Sequence, residues 1–239
     1  MTSNELVGRV ESAAIEWAGT LAPFFGNSIR SFVDAEGFGT GFVAKHQGEF
    51  FLITADHVVD DIDRYEACVA NVLGRSLDVK ALRFKRDASR DIAFARLTED
   101  YLARSEIDSV RYFDLGRSWT AWQGTGIYVV SGYPASQNQL KLKFGKTDRH
   151  GLNIFCSASS AKPKSALTSY LAFSYDRKKL KNAQGCSFNS PKLNGISGGP
   201  CMELMVDTRR TLSFRLVGLV SEFHAKEAVI LVSPLVGLV

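Results

Sequence analysis

The chain has 239 residues, 45% of them hydrophobic and 23% charged, with a formal net charge of +4. Such a composition excludes a mostly disordered chain and leaves ample material for a buried core. So small a charge is no argument for a nucleic-acid or membrane partner, and no stretch reaches the apolar length of a transmembrane helix.

The opening residues Met1-Thr2-Ser3-Asn4-Glu5-Leu6 show no basic segment leading into an apolar one, so no secretory signal is expected. Leu6, Val7, Val10, Ala14, Trp17, Ala18 and Leu21 recur at helical spacing, with Ser3 or Asn4 as N-cap and Pro23 and Gly26 as terminators. Residues 1–27 are expected to form a helical extension packed on the body of the protein. From residue 28 the pattern turns to short strands. Residues 39–44 and 50–54 read as a hairpin around His46-Gln47-Gly48, followed by strands at 67–73, 77–84 and 92–97. These complete one small barrel over 28–116. Residues 117–126 read as a linker. A second barrel over 127–239 is expected from strands near 127–134, 140–144, 153–157, 171–175, 201–206, 214–220 and 228–232.

The four cysteines, Cys68, Cys156, Cys186 and Cys201, lack the spacing of a zinc site and read as reduced thiols of a cytoplasmic protein. Basic runs at Lys141-Leu142-Lys143 and Arg177-Lys178-Lys179-Leu180-Lys181 read as solvated faces, without the interleaved aromatics of a single-strand binder.

Three segments carry chemistry: Ile53-Thr54-Ala55-Asp56-His57-Val58-Val59, Arg90-Asp91-Ile92-Ala93-Phe94-Ala95 and Gly195-Ile196-Ser197-Gly198-Gly199-Pro200. A serine hydroxyl is a weak nucleophile that needs a base, and the base needs a carboxylate to fix its tautomer. The oxyanion that forms needs backbone N–H donors, which a glycine-rich turn exposes. Ser197 is the candidate nucleophile, His57 the general base and acid, and Asp91 the orienting carboxylate. Gly195 and Ser197 are the candidate oxyanion-hole donors. Asp87 rivals Asp91 but does not lead into a strand.

In their order, histidine then aspartate then serine, these segments resemble the trypsin/chymotrypsin-like serine peptidases. In motif style the chain is similar to bacterial Deg/HtrA-type peptidases, including Val130-Ser131-Gly132-Tyr133-Pro134, but without a PDZ domain. The resemblance implies an all-β fold of two packed six-stranded antiparallel β-barrels, beside the N-terminal helix. It implies a cytoplasmic, bacterial serine endopeptidase acting on polypeptide substrates with no metal or organic cofactor. A catalytically silent binding module, or a defence or stress effector switched on by a regulatory protein partner, are the alternatives.

Departures from the family pattern are informative. Where secreted relatives place an aspartate before the serine to pair with a newly released N-terminus, this chain has Ile196, and it lacks an Ile-Val-Gly-Gly start. Activation by N-terminal cleavage is therefore not expected, and Ile196 is expected to be buried. Asp56 reads as a surface carboxylate, or, if near His57, as a charge that raises the imidazole pKa. The substrate strand is Val217-Gly218-Leu219-Val220-Ser221, with Ser221 matching the serine that helps position the aspartate. Glu222 and Phe223 replace the usual Trp-Gly and are candidate substrate-binding residues. A gap-free match puts Glu227 at the base of the specificity pocket; a solvated hairpin tip is the other reading.

Overall fold

The computed structural model describes residues 20–27, 35–107, 111–117, 126–137, 139–141, 146–148, 151–176, 192–206 and 212–237. They form two β-sheets and two short helices. The first sheet runs from β1 (Leu21–Asn27) through β2 (Ala35–His46), β3 (Glu49–Thr54), β4 (Ala67–Val72), β5 (Arg75–Asp78) and β6 (Lys85–Asp87) to β7 (Ile92–Leu97). Its main path is β5-β4-β1-β2-β3-β7-β6. Gln47 and Gly48, at φ of 48° and 88°, make the β2–β3 turn; positive φ at both central residues matches the right-handed twist of the strands. Helix α1 (Asp56–Arg64) follows β3 directly, and α2 (Glu99–Arg104) follows β7. The short β8 (Phe113–Asp114) joins β2 in parallel.

The second sheet has six strands: β9 (Ile127–Gly132), β12 (Leu152–Ser157), β13 (Leu171–Ser174), β14 (Pro200–Val206), β15 (Leu212–His224) and β16 (Val229–Pro234). Their order is β12-β9-β14-β15-β16-β13, and a bridge between Ala158 and Phe173 ties one end of the sheet to the other. The period-2 alternation of strands sorts side chains between two cores. Along β9, Tyr128 and Val130 join the interior of the second sheet with Phe173 and Ile230. Val129, between them, joins Phe42, Leu52 and Ile53 in the first core, as do Met202 and Leu219. One face of the second sheet is thus the surface on which the first one packs.

The strand expected at 77–84 is already ending at its start, since β5 stops at Asp78 and β6 begins only at Lys85, and two further expectations are corrected. Residues 21–27 are not the end of a helix but a strand inside the first sheet, so that barrel starts before residue 28. Leu21, Phe24 and Phe25 suit either structure, and Pro23 lies outside the ladder with β4, which begins at Phe24, so it breaks no bond to that strand. The proposed helix over 1–19 and most of the linker lie outside the described residues. The strand expected near 140–144 also differs. There β10 (Gln139–Lys141) and β11 (Lys146–Asp148) form a hairpin that joins the first sheet through Gln139 and Leu140 against Glu36 and Ala35. The ladder between β2 and β3 begins only at Gly41, which leaves that stretch of β2 an open edge to be covered.

Candidate active site

The chain leaves β3 at Thr54 and enters α1 two residues later, which places His57 in the first turn of a nine-residue helix. The first N–H groups of a helix have no partner within it. Asp91 supplies one: its Oδ1 accepts from the His57 backbone N–H at 3.0 Å. The same carboxylate accepts from His57 Nδ1, at 3.0 Å to Oδ1 and 2.9 Å to Oδ2. A carboxylate only accepts, so Nδ1 carries the proton and Nε2 is left as the basic nitrogen of the neutral ring. The Asp91 side chain is 11% exposed and that of His57 46%, so a sheltered anion orients an accessible ring. Asp91 reaches this position through a left-handed φ of 52° at the end of a tight turn, a conformation aspartate tolerates better than most residues. Asp87 does not compete for the histidine. Its Oδ1 accepts from Ser89 Oγ and the Arg90 N–H and so holds that turn.

Burial of the imidazole is the largest influence on its pKa and acts downward. The hydrogen bond and charge of Asp91, with the charges of Asp61 and Asp56, outweigh it and leave the His57 pKa above its ordinary 6.5. Asp56 is not a surface carboxylate. It is 6% exposed and bound on both oxygens by Arg86, whose Nη2 also reaches Asp60. The partner lies 30 residues away, and nothing local in the sequence announces it.

In the turn of Ser197, every peptide group is held. Asn194 O accepts from Ala135 N–H at 2.7 Å, Gly195 O from Thr40 Oγ1 at 2.7 Å, Ile196 O from Gly199 N–H at 2.9 Å and Ser197 O from Thr40 N–H at 2.9 Å. In a trans peptide the C=O and the next N–H point oppositely. Fixing the carbonyls of Asn194 and Ile196 therefore aims the N–H groups of Gly195 and Ser197. Among the described residues neither of these two N–H groups has an acceptor. Gly195 and Gly198 adopt φ of 92° and 83°, and a Cβ on Gly198 would lie 2.1 Å from Thr40 O, so the motif's glycines are demanded by space as well as by backbone angle. Ile196 is 2% exposed and packs on Gly132, as expected. Thr40, fully buried, was not singled out from the sequence; its partners are up to 155 residues away.

The profile of the trypsin-like peptidase domain matches residues 39–204, more than half of the chain. The chain belongs to the trypsin-like peptidase family. No curated protein matches it. Among solved structures it is similar to the protease of tobacco vein mottling virus, with 11% identity over 92% of this chain and 78% of that one and a TM-score of 0.52. It is also similar to human heparin binding protein, with 12% identity over 90% of this chain and 86% of that one and a TM-score of 0.51. At such identities the likeness is one of fold.

In this trypsin-like peptidase domain a cavity of about 570 Å³ opens beside His57, between α1 and the end of β15. Leu167, Ser221, Glu222, Phe223 and His224 line it together with His57. Ser221 Oγ shares a 2.7 Å hydrogen bond with Ser233 Oγ. Glu222 is braced by Ser165 Oγ at 2.8 Å and His224 Nε2 at 2.6 Å, which leaves it a fixed anion on the wall. Phe223 is 38% exposed. Glu227 takes no part: it is exposed in the turn 225–228 between β15 and β16, the hairpin-tip reading, because β16 starts at Val229 and leaves no loop to fold back.

Proposed function

We propose that this trypsin-like peptidase is a serine endopeptidase that cleaves polypeptides through a Ser197 acyl-enzyme. His57 takes the Ser197 proton as the hydroxyl attacks the scissile carbonyl, and Asp91 stabilises the imidazolium. The oxyanion is received by the N–H groups of Gly195 and Ser197. His57 then gives its proton to the leaving amine. Water repeats the sequence on the ester and frees the acid product. The contact of His57 Nδ1 with both Asp91 oxygens supports this reading most directly.

The cavity beside His57 would take substrate side chains on the acyl side, against Leu167, Glu222 and Phe223. Ile196, buried without charge, supports activity without N-terminal cleavage. Cys68, Cys156 and Cys201 are unpaired and buried, in keeping with a reducing compartment such as the cytoplasm.

The test is labelling by an active-site fluorophosphonate, with and without Ser197→Ala. Wild-type protein is expected to be labelled and the variant not. A wild type that resists the probe, or a variant that still reacts, overturns the assignment.

A further inference from the structure

In the secreted peptidases that the motifs resemble, the resemblance implies an ion pair of the residue before the serine that orders the oxyanion turn. Here that residue is Ile196, an apolar side chain that packs on Gly132 but has no hydrogen-bonding group with which to hold a peptide plane. We propose that Thr40, on β2 of the first barrel, is the positioning residue that locks the turn of Ser197 in its oxyanion-binding form.

Thr40 engages its N–H, its hydroxyl and its carbonyl at this interface and beside it. Its N–H donates to Ser197 O at 2.9 Å, and its Oγ1 donates to Gly195 O at 2.7 Å. The same Oγ1 accepts from Tyr133 N–H at 2.9 Å, and its carbonyl accepts from Thr54 Oγ1 at 2.8 Å. Thr54 is the last residue of β3, three before His57, so one buried residue joins the strand that delivers the base to the turn that presents the nucleophile. Thr40 grips the carbonyls of Gly195 and Ser197, which belong to the peptides that directly follow the two carrying the oxyanion-facing N–H groups, so it restrains those donors through their neighbours. The intervening peptide, between Ile196 and Ser197, is held locally by Gly199 N–H on Ile196 O at 2.9 Å, and the Gly195–Ile196 peptide that Thr40 grips is also closed by Ile196 N–H on Leu193 O at 3.1 Å. Without the Thr40 hydroxyl, Gly195 O loses the donor that holds it and Tyr133 N–H loses this acceptor. Rotation of the peptide between Gly195 and Ile196 lets that carbonyl turn toward another donor at the expense of the Ile196 N–H bond to Leu193 O.

The inference deepens the proposed peptidase reading, and its test separates the two. Thr40→Val keeps the shape and removes the hydroxyl; Thr40→Ser restores it. Amide hydrogen exchange on the full chain reads the lock itself. In Thr40→Val the N–H groups of Ile196 and Gly199 are expected to exchange roughly tenfold faster or more, the effect of about one lost hydrogen bond. Val130 and Leu231, within the second sheet, stay protected, and Thr40→Ser resembles wild type. The fluorophosphonate labelling rate is expected to fall about 100-fold in Thr40→Val, the usual cost of a lost oxyanion donor. The imidazole pKa of His57 stays in place. Unchanged exchange at Ile196 and Gly199 overturns the lock whatever the labelling does. Faster exchange with an unaltered labelling rate overturns its bearing on the oxyanion donors. Absence of labelling in wild type, with exchange changed as expected, overturns the peptidase reading and not the lock. If Thr40→Val does not fold, Thr40→Cys, of similar volume and weaker donor strength, takes its place with the same expected directions, and wild-type exchange in it overturns the proposal.

Discussion

Arg90, beside the candidate catalytic aspartate, donates from Nη2 to the carbonyl oxygen of Pro234, the last residue of β16 in the second sheet, and to that of Val236 at 2.8 Å. Ser89 O next to it accepts from Thr168 N–H at 2.9 Å and Oγ1 at 3.1 Å. The turn that holds Asp91 in its left-handed conformation is therefore tied to the second barrel at two adjacent residues. Arg90→Ala is expected to cost about 1–3 kcal/mol of stability, as for hydrogen bonds from a charged donor. It is also expected to lower the fluorophosphonate labelling rate several-fold, because Asp91 loses its fixed position. Thermal melts and labelling rates measured together check this; a stability loss with labelling unaffected shows that the tie does not reach Asp91.

The histidine gives a pH dependence. Only neutral His57 can take the serine proton, and its pKa lies above 6.5. Activity is expected to rise with pH through that raised pKa. In Asp91→Asn the negative charge and the charge-assisted hydrogen bond that raise it are lost while the lowering effect of burial stays, so the acid limb moves to lower pH as turnover collapses. The stability linkage has the opposite sense. The folded state binds the His57 proton more tightly than the unfolded chain, so this group's stabilisation is full below about 6.5 and is lost as pH rises through the folded-state pKa. A pH–rate profile and an NMR titration of the ring check both signs.

Asp56 predicts a separable effect. Asp56→Asn leaves Arg86 with one fewer charged partner and is expected to cost about 1–3 kcal/mol. The Asp56 charge is the smallest of those raising the His57 pKa, so activity at its optimum is expected to stay within a few-fold of wild type. Denaturant melts and the labelling rate check it. A large activity loss at full stability assigns Asp56 a direct part in the chemistry.

Ile196 predicts the reverse pattern. Ile196→Asp places an unpaired carboxylate in a site with 2% exposure against Gly132. Loss of activity is expected to exceed loss of fold, since the turn can swing its carboxylate into water while the barrels persist. Side-by-side turnover and thermal midpoint check this; full activity with an unchanged midpoint overturns it.

The candidate triad was legible because its chemistry is written locally. Ser197 needs Gly195, Gly198 and Gly199 at fixed positions, His57 needs a strand ending just before it, and Asp91 needs a turn before a buried strand. The division into two packed β-barrels was legible for a similar reason, as alternation is a local property, but not the make-up of the first sheet, which has ten strands rather than six and takes β8 in parallel. What escaped the sequence lay in distant pairing. Leu21 and Phe24 fit a helix face or a strand, and only the neighbours β2 and β4 decide between them. Leu140 carries no mark of the sheet it joins, which depends on an open edge at Ala35 and Glu36. Asp56 looked solvated because Arg86 comes from another strand, and Thr40 looked like an ordinary strand residue because its partners sit on the other barrel.

The apolar burial of Ile196 also bears on the response to salt. An ion pair within reach of solvent weakens as mobile ions screen it, with a Debye length of about 3 Å at 1 M, and a buried pair does so much less. Apolar packing and buried hydrogen bonds carry no net charge to screen, and strongly hydrated salts such as sulfate favour burial. The turn of Ser197 is thereby ordered by contacts that concentrated electrolyte leaves intact, so any decline of activity in brine falls on substrate capture or on the exposed ion pairs, such as Arg96 with Glu49, before it reaches the nucleophile.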